Sequence, residues 1–176
     1  MRIVSLLPSA TDIIVSLGAK NELVGVSHSC SPEHSHLPTL TSTRVDTTVS
    51  SHEIDLQVKS AAGPLYDLDV ELLEALAPDV IVSQSLCDVC AVSSGDVESA
   101  VREISSKPTL VNLTPHDLSD IPTGFHDVGE QINRQSQAAA LTKGWNLYLA
   151  DVKDRFLMKS PLKLVFLDWL TPPYAS

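Results

Sequence analysis

Short apolar runs alternate with helical segments along most of this chain, and that alternation restricts the fold more than any other feature. It predicts an α/β domain: a mainly parallel sheet flanked by helices. Residues 2–7, 23–26, 79–83 and 109–113 read as strands. Between them, residues 10–17 read as a helix stopped by Gly18. Ser50 and Glu53 form a capping box that opens a second helix, which runs to about residue 62 before Gly63-Pro64. Asp69 caps a third over 70–76, ended by Pro78, and residues 96–105 read as a fourth. The stretch 27–49, with His28, His34, His36 and two prolines, reads as irregular. A chain of 176 residues has enough material for one core.

Past Pro122 the pattern changes. Phe125, Val128 and Ile132, then Trp145, Leu149, Val152 and Phe156, keep helical spacing over residues 124–158. One helix of that length is a rod of about 50 Å, with Gly129 and Gly144 as places for a kink. Residues 163–170 read as a further strand, with no strand after it to pair with. The expected division is a lobe over 1–122, a long connecting helix over 123–160, and the start of a second lobe, cut short, over 161–176. No internal repeat is present.

Charge excludes some partners. The formal net charge is −10, which repels phosphate backbones and disfavours nucleic acid or anionic membrane surfaces. No stretch approaches the roughly 20 apolar residues of a spanning helix. The strand that starts at Arg2 leaves no room for a secretory signal, so the chain as given reads as cytoplasmic, or as extracytoplasmic if a signal was removed or the start lies elsewhere.

In a parallel sheet ligands sit beyond the carboxyl ends of the strands. Those ends carry Pro8, Ser9, Ala10 and Thr11; Ser27, His28, Ser29 and Cys30; residues 84–90; and Thr114, Pro115 and His116. The turn into the first helix offers free amides to an anionic ligand edge, or is a plain cap. His28, Cys30, Cys87 and Cys90 have the residue types and spacing of a Cys3His zinc site or an Fe–S ligand set. Reduced, partly buried thiols and a Cys87–Cys90 redox pair explain the same residues. Tyr66, Trp169 and Tyr174 are the aromatics best placed for a cleft, and His34, His36 and His52 read as solvated. His116 follows a strand and is a weaker cleft candidate. Asp12, Asp88 and Asp168 lie near the rim without forming a recognisable acid–base pair, and no catalytic triad order, phosphate loop or zinc-protease motif occurs.

Four segments in order, residues 2–12 (RIVSLLPSATD), 23–27 (LVGVS), 72–82 (LLEALAPDVIV) and 164–174 (LVFLDWLTPPY), resemble the type III solute-binding proteins of cobalamin and iron-chelate ABC importers. The resemblance implies two α/β lobes on one long helix, with a ligand held between them. It implies capture of a cobalamin-like or other metal-chelate ligand for importer membrane subunits, without catalysis. By position it assigns ligand contact to Pro8, Ser9, Ala10, Thr11, Ser27, Tyr66, Leu86, Trp169 and Tyr174. One branch carries His-x-Cys and Cys-x-x-Cys where this chain has His28/Cys30 and Cys87/Cys90. Two other readings stand beside it: a metal- or thiol-dependent enzyme built on those four residues, and a truncated scaffold with no ligand of its own.

Overall fold

The computed structural model describes residues 1–85, 92–156, 163–170 and 172–175. Strand β1 (Ile3–Ser5) leads into helix α1 (Pro8–Ser16) and then strand β2 (Leu23–Gly25). Strand β3 (Thr41–Thr43), helix α2 (Ser51–Ser60), strand β4 (Tyr66–Leu68) and helix α3 (Val70–Leu76) follow. Strand β5 (Val80–Gln84), helix α4 (Ser94–Glu103) and strand β6 (Thr109–Leu113) complete the central unit.

Four strands form one sheet in the order β2-β1-β5-β6, every pair parallel. The chain leaves β1 toward β2, then returns to the other side of β1 as β5. The order therefore reverses between β1 and β5, where α/β sheets open a crevice for ligands.

Alternation along the strands explains the two-sided core, because successive side chains point to opposite faces. Ile3, Val80, Val82, Val111 and Leu113 pack with Ile14 and Leu17 of α1 on one face. Val4, Ile81 and Leu6 pack with Leu73 of α3 and with Val97, Ala100 and Ile104 on the other.

The expected local signals hold. The Ser50 hydroxyl accepts from the Glu53 amide, and the Glu53 carboxylate accepts from the Ser50 amide at 3.0 Å. Those bonds to Ser50 hold the Glu53 carboxyl below the usual carboxylate range. Asp69 accepts from the Leu72 amide at 2.8 Å. Gly18, at φ +78°, ends α1 in the left-handed region that glycine adopts without strain.

Four expectations are corrected. The stretch 27–49 is not wholly irregular. Within it, Thr41–Thr43 pairs antiparallel with Tyr66–Leu68, and an Arg44–Asp67 ion pair sits at the end of that ribbon. His34 is not solvated: it is 1% exposed, inside a short 3-10 turn.

The single rod over residues 124–158 is two helices, α5 (Ile121–Gln131) and α6 (Gln135–Arg155). Asn133 takes φ +57°. The Arg134 amide then donates back to the Gly129 carbonyl at 2.7 Å. This is a Schellman-type stop with asparagine in the left-handed position. The chain therefore folds α6 back against α5, and Phe125, Val128, Ile132 and Ala138 all join the α1 face of the core. By packing, α5 belongs to the lobe.

The last strand also differs. Strand β7 covers only Leu167–Leu170, and it does have a partner: antiparallel strand β8 (Pro173–Ala175). Pro172 punctuates the sequence between them, and Pro173 opens β8 at a position where a strand tolerates proline. Large apolar side chains stay exposed at the end of α6 and around β7: Leu147, Tyr148, Phe156, Leu164, Val165 and Phe166. No helix among the described residues is long and apolar enough to cross a membrane.

Candidate functional site

A cavity of about 550 Å³ opens at the carboxyl edge of the sheet. That size suits a drug- or cofactor-sized ligand. Its walls come from every element that meets there. Leu7 comes from the turn into α1, Ser9, Asp12 and Ile13 from α1 itself, and Gln84 from the end of β5. Leu113, Thr114 and Pro115 come from the end of β6. Ile121, Phe125 and Asp127 come from α5, with Asp120 before it and Trp145 from α6.

Trp145 closes one side. Its ring meets Phe125 edge to face, with centroids 6.1 Å apart. Its indole Nε1 donates to the Leu118 carbonyl at 3.1 Å, tying the loop after β6 to α6. That loop is held from within by Asp120, whose carboxylate accepts from the His116 amide at 2.9 Å and the Asp117 amide at 3.3 Å.

Of the residues expected at the rim, Ser9, Asp12, Gln84, Thr114 and Pro115 line this cavity. Pro8, Ser27, His28 and Tyr66 gather instead around a niche of about 30 Å³ beside it, on the α3/α4 side. Ala10 and Thr11 face the core, at 0% and 1% exposure. Trp169 and Tyr174 pair across the β7–β8 hairpin. Leu86, Cys87 and Cys90 lie outside the described residues.

The described half of the Cys/His set is engaged internally. The Ser5 hydroxyl donates to the Leu7 carbonyl, and the Thr11 hydroxyl donates to Ser5 at 2.8 Å. Thr11 has then used its one proton, so at its 3.2 Å contact with Cys30 the thiol is the donor. His28 Nδ1 lies 2.7 Å from the Thr41 hydroxyl, and its ring sits over Tyr66 at 5.6 Å. Among the described residues no group of three or more His, Cys, Asp or Glu is arranged to hold a metal ion.

Desolvation by partial burial pushes the His28 pKa below the usual 6.5. A histidine depressed in this way binds fewer protons folded than unfolded. Its contribution to stability is therefore full above pH 6.5 and lost as pH falls through the folded value. In an NMR titration the His28 ring is expected to be half-protonated below pH 6.5. A midpoint above 6.5 would contradict the contacts described.

Phe125 and Trp145 line the cavity, although in the sequence they show only the spacing of a helical core stripe. Twenty residues apart on one straight helix, they would stand about 30 Å from each other. The stop at Asn133 brings them into contact, and an asparagine between two helical stretches was the signal for it.

The chain is thus an open parallel sheet with a ligand-sized cavity at its carboxyl edge. Solved structures place it more closely. The chain superposes on the periplasmic haem-binding protein HutB of Vibrio cholerae with a TM-score of 0.67 at 20% identity, covering 95% of this chain and 54% of that one. It matches the periplasmic vitamin B12-binding protein BtuF of Vibrio cholerae with a TM-score of 0.68 at 17% identity, over 98% of this chain and 57% of that one. The periplasmic haem-binding protein RhuT from Roseiflexus sp. RS-1 gives 0.68 at 20% identity, over 94% and 54%. The chain thus spans about half the length of the proteins whose fold it shares, as the resemblance in the sequence implied for the fold. No protein-family model and no curated protein sequence matches it.

Proposed function

We propose that this chain is the ligand-capturing lobe of a solute-binding protein that hands a cobalamin-like or other metal-chelate ligand to an ABC-type importer, and that it performs no chemistry on that ligand. The observation that carries the reading is the apolar, aromatic-walled cavity at the carboxyl edge of the sheet, in a fold shared with haem- and vitamin B12-binding proteins. Residues 1–131 and the part of α6 up to Trp145 form the lobe, and the rest of α6 leads away from it. The apolar side chains exposed on α6 and β7 are the surface on which the remainder of a two-lobed protein would pack. The same likeness supports a site of action outside the cytoplasm, with importer membrane subunits as the partner. Within this proposal Ser9 borders the ligand and Pro8, Ser27 and Tyr66 stand in the niche beside it, while Leu86, Trp169 and Tyr174 are assigned to the ligand by the sequence resemblance alone. Ala10 and Thr11 support the ligand edge from beneath, as their burial indicates.

The zinc or Fe–S reading of His28, Cys30, Cys87 and Cys90 has the sequence spacing in its favour. Against it stand the Thr11 and Thr41 hydrogen bonds that occupy its described half.

The test is a spectrophotometric titration of this chain, and of a version carrying a second lobe, with cyanocobalamin and with haem. Saturable micromolar binding by the two-lobed version, weaker in the single lobe, is the expected result. Absence of binding of either compound to either protein would remove the capture reading. Metal analysis of the same samples, purified anaerobically, decides the Cys/His set: stoichiometric zinc or iron would reinstate it.

A further inference from the structure

The walls of the cavity are apolar and its rim carries charge of one sign. Asp12, Asp120 and Asp127 border it, and among the described residues no lysine, arginine or histidine does. Asp120 is committed to two backbone amides. Asp12 and Asp127 make no hydrogen bond or ion pair with the described residues, so their charge is available to a ligand.

An opposing field is present. Helices α1 and α5 both begin at the cavity, and no N-cap side chain covers either end. Each helix N-terminus is worth roughly half a positive charge. Two such ends together offset about one carboxylate, and three carboxylates are present, so the negative charge wins. The aromatic wall of Phe125 and Trp145 favours the same kind of ligand, since ring faces attract cations and edge-on donors.

We infer that this cavity selects an apolar ligand whose edge is cationic or carries hydrogen-bond donors, and rejects one edged by carboxylates or phosphates. The inference rests on the capture reading and names its ligand class. Within the metal chelates, it favours a macrocycle rimmed by amides over one bearing free carboxylates.

The test uses three probes with one apolar body: 2-naphthylmethylammonium, 2-naphthamide and 2-naphthoate, titrated calorimetrically into this chain at low salt. The ammonium is expected to bind about tenfold or more tighter than the carboxylate, with the amide between them; tenfold corresponds to about 1.4 kcal/mol. In Asp12→Asn/Asp127→Asn the ammonium-to-carboxylate ratio is expected to fall to within about twofold. In Glu98→Gln/Glu103→Gln, the same change of charge made on α4 across the sheet, the ratio stays near its original value. Equal affinities for the three probes in the native chain would overturn the inference, as would no binding of any. It would also be overturned if the ratio persisted in the Asp12/Asp127 variant, or collapsed equally in the α4 variant, because the preference would then belong to the acidic surface as a whole. Failure of cobalamin and haem to bind leaves this ordering untouched, so the two readings fail separately.

Discussion

Trp145→Ala is expected to lower stability by about 2 kcal/mol and to weaken binding of any cavity ligand about tenfold or more. Trp145 does three things at once. It packs edge to face on Phe125, holds the Leu118 carbonyl, and walls the cavity. The ring is half-buried, so its loss removes part of a full aromatic contribution, plus a pair term of about 0.5–1.5 kcal/mol. A protein of this size loses roughly 2–4 °C of Tm per kcal/mol, so the melting temperature should drop by about 4–8 °C. Trp145→Phe separates the contributions. It keeps most of the apolar contact and removes only the Nε1 donor, costing about 1 kcal/mol. Near-native melting and affinity for the alanine variant would show that Trp145 neither anchors the loop nor forms the wall.

Gly129→Ala is expected to be about as damaging, with no ligand involved. A methyl group on Gly129 would stand 2.7 Å from the Ala138 Cβ and 3.2 Å from the Arg134 carbonyl oxygen. Neither neighbour is the far end of a flexible side chain. The crossing of α5 on α6 would have to open, together with the turn in which Arg134 donates to Gly129. Overpacking of this kind costs about 2–3 kcal/mol. Gly144→Ala is the counterpart. That glycine lies inside α6 with open space around it, so alanine should stabilise by roughly 0.5–1 kcal/mol. Thermal denaturation of the pair should therefore show shifts of opposite sign. A neutral Gly129→Ala would mean that the two helices do not pack in the way described.

The same two helices show where the sequence was readable. The four parallel strands, the caps at Ser50 and Asp69 and the stops at Gly18 and Pro78 each rest on a local rule, and they lie where those rules put them. The carboxyl edge followed from the strands, and the cavity opens there. The particular side chains were less so. The cavity depends on a long-range return of α6, which turns on one asparagine conformation. Helical periodicity runs through residues 124–158 without showing that break. Thr11 illustrates a second loss: it lies in the expected motif, yet its position on the inward face of α1 commits it to Ser5 and Cys30. His34 is a third, since nothing in a polar, proline-bearing stretch signals that one imidazole is enclosed.

The central claim is that a ligand occupies the cavity between α1, the end of β6 and α5/α6. The most direct measurement follows the assigned indole Nε1–H resonance of Trp145 during titration with cyanocobalamin, in the two-lobed version of the protein. The account predicts a saturable shift of that resonance, with the Asp12 and Thr114 amides moving in step and residues of α4 unmoved. Saturable binding that left Trp145, Asp12 and Thr114 unchanged would contradict it.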